Sequence, residues 1–105
     1  MRRLAELASA RAGDKGDVSN VAVVARDQAA WEHLRRHLTA DRVAAHFGDW
    51  VTGPVEVHPL PRLLAFNVVM RGALGGGATR TLRMDNLGKA MGAALLRLEL
   101  PDPEP

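Results

Sequence analysis

Val18 to Ala25 reads VSNVAVVA, β-branched and almost continuously apolar, the pattern of a strand buried on both faces. The period then changes. Trp31, Leu34 and Leu38 recur at i, i+3 and i+7 behind Asp27, a residue type that caps helix N-termini. Thr39 caps a second helical turn or a continuation, with Val43 and Phe47 four apart, and Gly48 ends it. VTGP is a loop. PVEVHPLP alternates weakly under three prolines, which remove ladder donors and confine it to a sheet edge. Leu63 to Arg71 predicts a central strand, and Leu87, Met91 and Leu95 at i, i+4 and i+8 predict a helix from about Asp85 to Leu96. LRLEL at residues 96–100 fits a closing strand, and residues 3–9 fit a short strand ahead of all the others.

Two stretches break the pattern. ARAGDKGD, residues 10–17, puts two glycines around an Asp-Lys pair and reads as a turn between strands. GALGGG, residues 72–77, has four glycines in six positions, too entropically costly for helix or regular strand. TRTLRM after it is ambiguous between strand and extended loop. With the first short strand set aside, the order is strand, helix, strand, strand, helix, strand. This split βαβ order predicts an α+β, ferredoxin-like fold, an antiparallel sheet with two helices on one face. The extra N-terminal strand extends the sheet as a hairpin with residues 18–25. Residues 1–100 form a single domain, and PDPEP at 101–105 is a disordered tail.

Composition narrows the function classes. At 105 residues, 47% hydrophobic and 25% charged, the chain lies within the globular range. It has no cysteine, hence no disulfide or thiolate metal site, which suits a reducing compartment. The N-terminus lacks the apolar region of a signal peptide, and LLAFNVVM is far short of the roughly 20 residues of a membrane span. A cytoplasmic protein with no membrane association is expected. The pI of 9.9 hints at nucleic acid, but the formal charge is only +2 and acidic residues are interleaved with arginine throughout. The aromatic residues number four, three of them in or beside the first helix, which does not suit an RNA-stacking sheet. No nucleic-acid partner is expected.

Candidate chemistry concentrates in the two glycine segments. Gly13 and Gly16 can hold φ above zero and aim backbone N–H groups at an anion, with Lys15 adding positive charge. Against this stands an ordinary surface turn with solvated charges. In the second segment, Gly75, Gly76 and Gly77 let a ligand approach the backbone, and Arg80 can grip a carboxylate or phosphate. Its bland counterpart is a flexible connection. Neither segment meets the phosphate-loop or dinucleotide patterns. His33 and His37 have metal-ligand spacing, yet Arg35 and Arg36 lie between them and no carboxylate joins them, so no metal and no other cofactor is expected. Serine occurs only at Ser9 and Ser19, without a nucleophile motif.

ARAGDKGDVSN, LTADRVAAHF, LLAFNVVMRGALGGGATRTLRMDNLGK and GAALLRLEL, in this order and spacing, resemble the AtuA-like ferredoxin-fold domain over about Leu4 to Leu100. The family pattern carries serine where this chain has Ala12, and commonly at Thr81. In that family the domain forms the C-terminal part of proteins implicated in acyclic terpene utilisation, and it also occurs as a small separate chain. The resemblance implies a role in breakdown of branched acyl compounds such as citronellol and geraniol, at the level of carboxylates or acyl-CoA, alongside a larger AtuA-type partner.

The expectation that follows is an accessory or ligand-binding subunit. Its anion site combines Arg11, Gly13, Asp14, Lys15, Gly16 and Asp17 with Asn67, Gly75, Gly76, Gly77 and Arg80, because antiparallel pairing of residues 18–25 with 63–71 brings both glycine segments to one sheet edge. An enzyme using Asp14 or Asp17 as base, with Lys15 or Arg80 holding a substrate carboxylate, is one alternative. A purely structural oligomerisation module is another. Strands apolar on both faces would leave one sheet face to be covered by a second copy or the larger partner.

Overall fold

The computed structural model describes residues 1–15, 18–72 and 87–103. Its main sheet has four antiparallel strands: β2 (Ala8–Lys15), β3 (Val18–Ala25), β5 (Ala65–Arg71) and β4 (Val55–Leu60), in the spatial order β2-β3-β5-β4. Among the described residues three helices form the second layer: α1 (Gln28–His37), α2 (Ala40–Phe47) and α3 (Leu87–Leu96). The expected α+β, ferredoxin-like architecture is therefore present. A separate two-stranded ribbon pairs β1 (Arg2–Arg3) with β6 (Glu99–Leu100).

The helix signals act as read. Asp27 Oδ1 accepts from the Ala30 amide at 2.8 Å, and Thr39 Oγ1 accepts from the Arg42 amide at 3.2 Å, so each helix has its own cap. Trp31, Leu34, Leu38, Val43 and Phe47 all lie in the buried core. Proline-bearing β4 is an edge strand, bonded only to β5 among the sheet strands. The first residues of the predicted α3, along with TRTLRM, lie outside the described residues.

The N-terminal third differs from the reading of residues 3–9 as one strand. Leu4 and Leu7 are both wholly buried but three residues apart, a spacing that a strand would divide between its two faces. A single 3-10 turn over Leu4–Glu6 puts both inward, closed by the Leu7 amide on Leu4 O and by Glu6 accepting from the Arg3 amide. The strand begins only at Ala8. It then runs through Arg11, Gly13 and Asp14 to Lys15, so most of the supposed turn is strand, paired with β3 from Ala8↔Ala25 to Lys15↔Val18.

This long hairpin decides the topology. β2 bonds β3 along its entire length, the hairpin expected of the N-terminal strand, and occupies that edge of the sheet. β6 is therefore excluded from the main sheet and pairs with β1 instead. The small residues of β2 have a packing role. Ala12 faces α3 so closely that a Cβ on Gly92 would stand 3.3 Å from the Ala12 methyl.

The core lies between the sheet and the helices. Phe66, Val68 and Met70 of β5 and Val21 and Val23 of β3 are all but inaccessible. Their neighbours Asn20, Val24, Asn67 and Val69 are exposed or half-buried. Thus, among the described residues, β3 and β5 are not buried on both faces: one helical layer covers one side, and no described element covers the opposite sheet face.

The chain end is bound where described. His33 Nε2 donates to Pro101 O at 2.7 Å, and Asp102 pairs with the N-terminal ammonium at 3.2 Å. That contact engages one nitrogen of the His33–His37 pair. No helix among the described residues is long and apolar enough to cross a membrane.

Candidate functional site on the open sheet face

Alternation along the strands sorts the site candidates by face. Ala8, Ala10 and Ala12 are register partners of Ala25, Val23 and Val21, all buried under the helices. Arg11 and Gly13 fall on the other face with Ala22 and Asn20. Continuing across β5 and β4, one register row reads Arg11, Ala22, Asn67, His58, and the next reads Gly13, Asn20, Val69, Glu56. Arg11 and Asn67 are thus two strand spacings apart, about 10 Å between backbones, over the small side chain of Ala22. Arg11 has no ion pair or hydrogen bond among the described residues.

Gly13 does not act as the nest reading requires. It is extended within β2 and would tolerate a Cβ, which would meet Asn20 O at an ordinary 3.9 Å. Asp14 is the register partner of Ser19, and Lys15 that of Val18. Gly16, Asp17, Gly75, Gly76, Gly77 and Arg80 lie outside the described residues. The expected convergence has one firm element: Val18 pairs with Arg71, so the β2–β3 connection and the chain leaving β5 depart from the same end of the sheet. Gly53 tightens that end. Its amide donates to Arg71 O at 2.9 Å, and any Cβ there would stand 2.7 Å from that oxygen.

Four residues of this region escaped the sequence reading. Glu56 accepts from Arg71 Nε at 3.2 Å and from His58 Nε2 at 3.0 Å, joining β4 to β5 across the face. Only the strand register, i to j±2 between neighbours, could have revealed this trio. The fourth is Ser19, fully buried, whose Oγ has no partner among the described residues. An orphaned hydroxyl costs desolvation energy without return.

The Arg71 hydrogen bond, with a smaller one from His58, holds the Glu56 carboxyl below its ordinary value of 4.5, while desolvation works against them. Since the folded value lies below the unfolded one, the stabilisation is present above the unfolded pKa and is lost as pH falls through the folded one. Glu56→Gln is therefore expected to lower Tm at neutral pH. The gap from wild type should close on acidification below about 4.5, and shrink in high salt. A Tm difference independent of pH would exclude the carboxylate as its source.

The profile of the AtuA ferredoxin-like domain matches residues 2–101. The chain belongs to the AtuA ferredoxin-like domain family. No curated protein and no solved structure matches it. The match spans nearly the whole chain, taking in both its four-stranded sheet and its β1–β6 ribbon. Ala12 lies against Gly92 of α3 and not on the open face.

Proposed function

We propose that this AtuA ferredoxin-like domain is an accessory subunit in the cytoplasmic catabolism of branched acyl or acyclic terpene compounds. Its open sheet face docks on a larger AtuA-type protein or a second copy of the chain. The observation that carries this reading is the face itself, with Arg11, Asn20, Asn67 and His58 around Ala22 and Val69. An enzyme site would gather its groups in a closed pocket, whereas this arrangement is an open patch of apolar centre and polar rim, as protein interfaces are. The end of the same face, where Lys15 and Arg71 flank Val18 in register, is the proposed place for a carboxylate or acyl-CoA anion beside the glycine segments.

Ala22→Arg tests this without touching the core, since its neighbours Val21 and Val23 carry the buried contacts. The expected result is an unchanged fold and at least about a tenfold loss of affinity for the larger AtuA-type protein or of self-association. Ala44→Arg, on the exposed side of α2, should leave association intact. Co-elution and light scattering read both. Equal association of wild type and Ala22→Arg, or association of the wild type with neither partner, would refute the proposal.

A further inference from the structure

The helical layer carries a charged groove that the sheet-face reading does not use. Arg42 and His46 stand one turn apart on α2, and Arg97 lies in the turn after α3. Together with Glu99 they line an open groove of about 510 Å³. His46 and Arg97 also border an adjoining hollow of about 230 Å³, walled by Phe47 and Trp50. The groove alone has the volume of a small-molecule cleft, and the hollow extends it.

Three features combine at this groove. Neither guanidinium has an ion pair or hydrogen bond among the described residues, although Glu99 lines the same groove. Arg2, Arg26, Arg35 and Arg71, by contrast, are each neutralised by a neighbouring carboxylate. His46 is fixed across the junction of the two helices: Nε2 donates to Ala94 O at 2.7 Å and the ring meets Phe47 edge-on at 5.2 Å. Trp50 is 42% exposed beside the hollow, so an apolar wall adjoins the cationic one.

We infer that this groove is a binding site for a monocarboxylate with an apolar body, such as a medium-chain alkyl acid. The guanidiniums of Arg42 and Arg97 against the Glu99 carboxylate leave a single surplus positive charge, which one carboxylate head balances. Arginine forks match carboxylate geometry, and the two donors hold the head while Phe47 and Trp50 receive the chain. A phosphate dianion would exceed the surplus and face Glu99. The site lies in the helical layer, so it stands or falls independently of docking at the sheet.

The test is titration of the full chain with octanoate, followed by NMR. The chain has two indole N–H signals, and that of Trp50 should shift while that of buried Trp31 stays. Arg42→Ala and Arg97→Gln should each weaken binding at least about tenfold, as loss of a charge-assisted hydrogen bond does, with Tm preserved. Acetate and octylamine, lacking the chain or the anion, should bind far more weakly, and octyl phosphate less tightly than octanoate. Binding unaffected by either substitution, equal binding of octylamine, tighter binding of octyl phosphate, or no Trp50 shift up to roughly 10 mM octanoate would overturn the assignment. If Arg42→Ala fails to fold, Arg97→Gln on its exposed turn decides alone.

Discussion

Trp31→Ala is expected to cost the domain about 3–5 kcal/mol, a large part of the roughly 5–15 kcal/mol that holds a domain of this kind folded. Trp31 leaves α1 to lie on the sheet with 5% of its surface exposed. Its indole stacks on Phe66 with ring centres 5.5 Å apart and planes 15° from parallel. The ring N–H donates to Ala65 O at 3.1 Å, so one side chain joins helix, core and central strand. Truncation removes the apolar contact, opens a cavity and takes a donor from a buried carbonyl. Trp31→Phe separates the terms: it keeps the stack and loses the hydrogen bond, and should cost only about 1–2 kcal/mol. Denaturant melts check both, and equal losses in the two variants would mean that the hydrogen bond, not the packing, dominates.

Gly92→Leu should destabilise by about 1–3 kcal/mol or more, because α3 rests on β2 with no space for a side chain. A Cβ at Gly92 would already be 3.3 Å from the Ala12 methyl and 3.8 Å from its backbone nitrogen, so the remaining atoms of leucine would force helix and strand apart. Gly92→Ala is the finer probe. Alanine gains about 1 kcal/mol of helix propensity over glycine, set against a contact that must relax by a few tenths of an ångström. Pairing it with Ala12→Gly moves the methyl from strand to helix at nearly constant volume. The double variant should therefore be more stable than the sum of the two single changes implies, a coupling that denaturant melts measure directly. Simple additivity would show that the two positions do not touch.

What could be read in advance follows from where the physics is local. Caps at Asp27 and Thr39 and the apolar periods of α1 and α2 are decided within a few residues, and they stand as the residues imply. A strand pairing with residues 18–25 was expected, but its extent to Lys15 was hidden because Ala12 is small for the closeness of α3, a tertiary constraint, and because charge beside glycine mimics turn chemistry. The position of β6 depended in turn on that strand, since one edge of β3 admits a single neighbour. Of the candidate site, Arg11 and Asn67 do share a register row, but His58, Glu56 and Arg71 enter only through pairing between strands distant in sequence. Ser19 gave no signal at all: its burial follows from strand alternation, its missing partner from the surroundings.

The docking face can be footprinted directly, because the chain contains no cysteine and Ala22→Cys supplies a single thiol at the centre of that face. Ala44→Cys, exposed on α2, supplies one in the helical layer. Alkylation rates are measured for each variant alone at low concentration, and then with the larger AtuA-type protein or at high concentration of the chain. The account predicts at least about tenfold protection of the thiol from Ala22→Cys on association and an unchanged rate for Ala44→Cys. Association that protects the α2 position and leaves the sheet position freely reactive would contradict it.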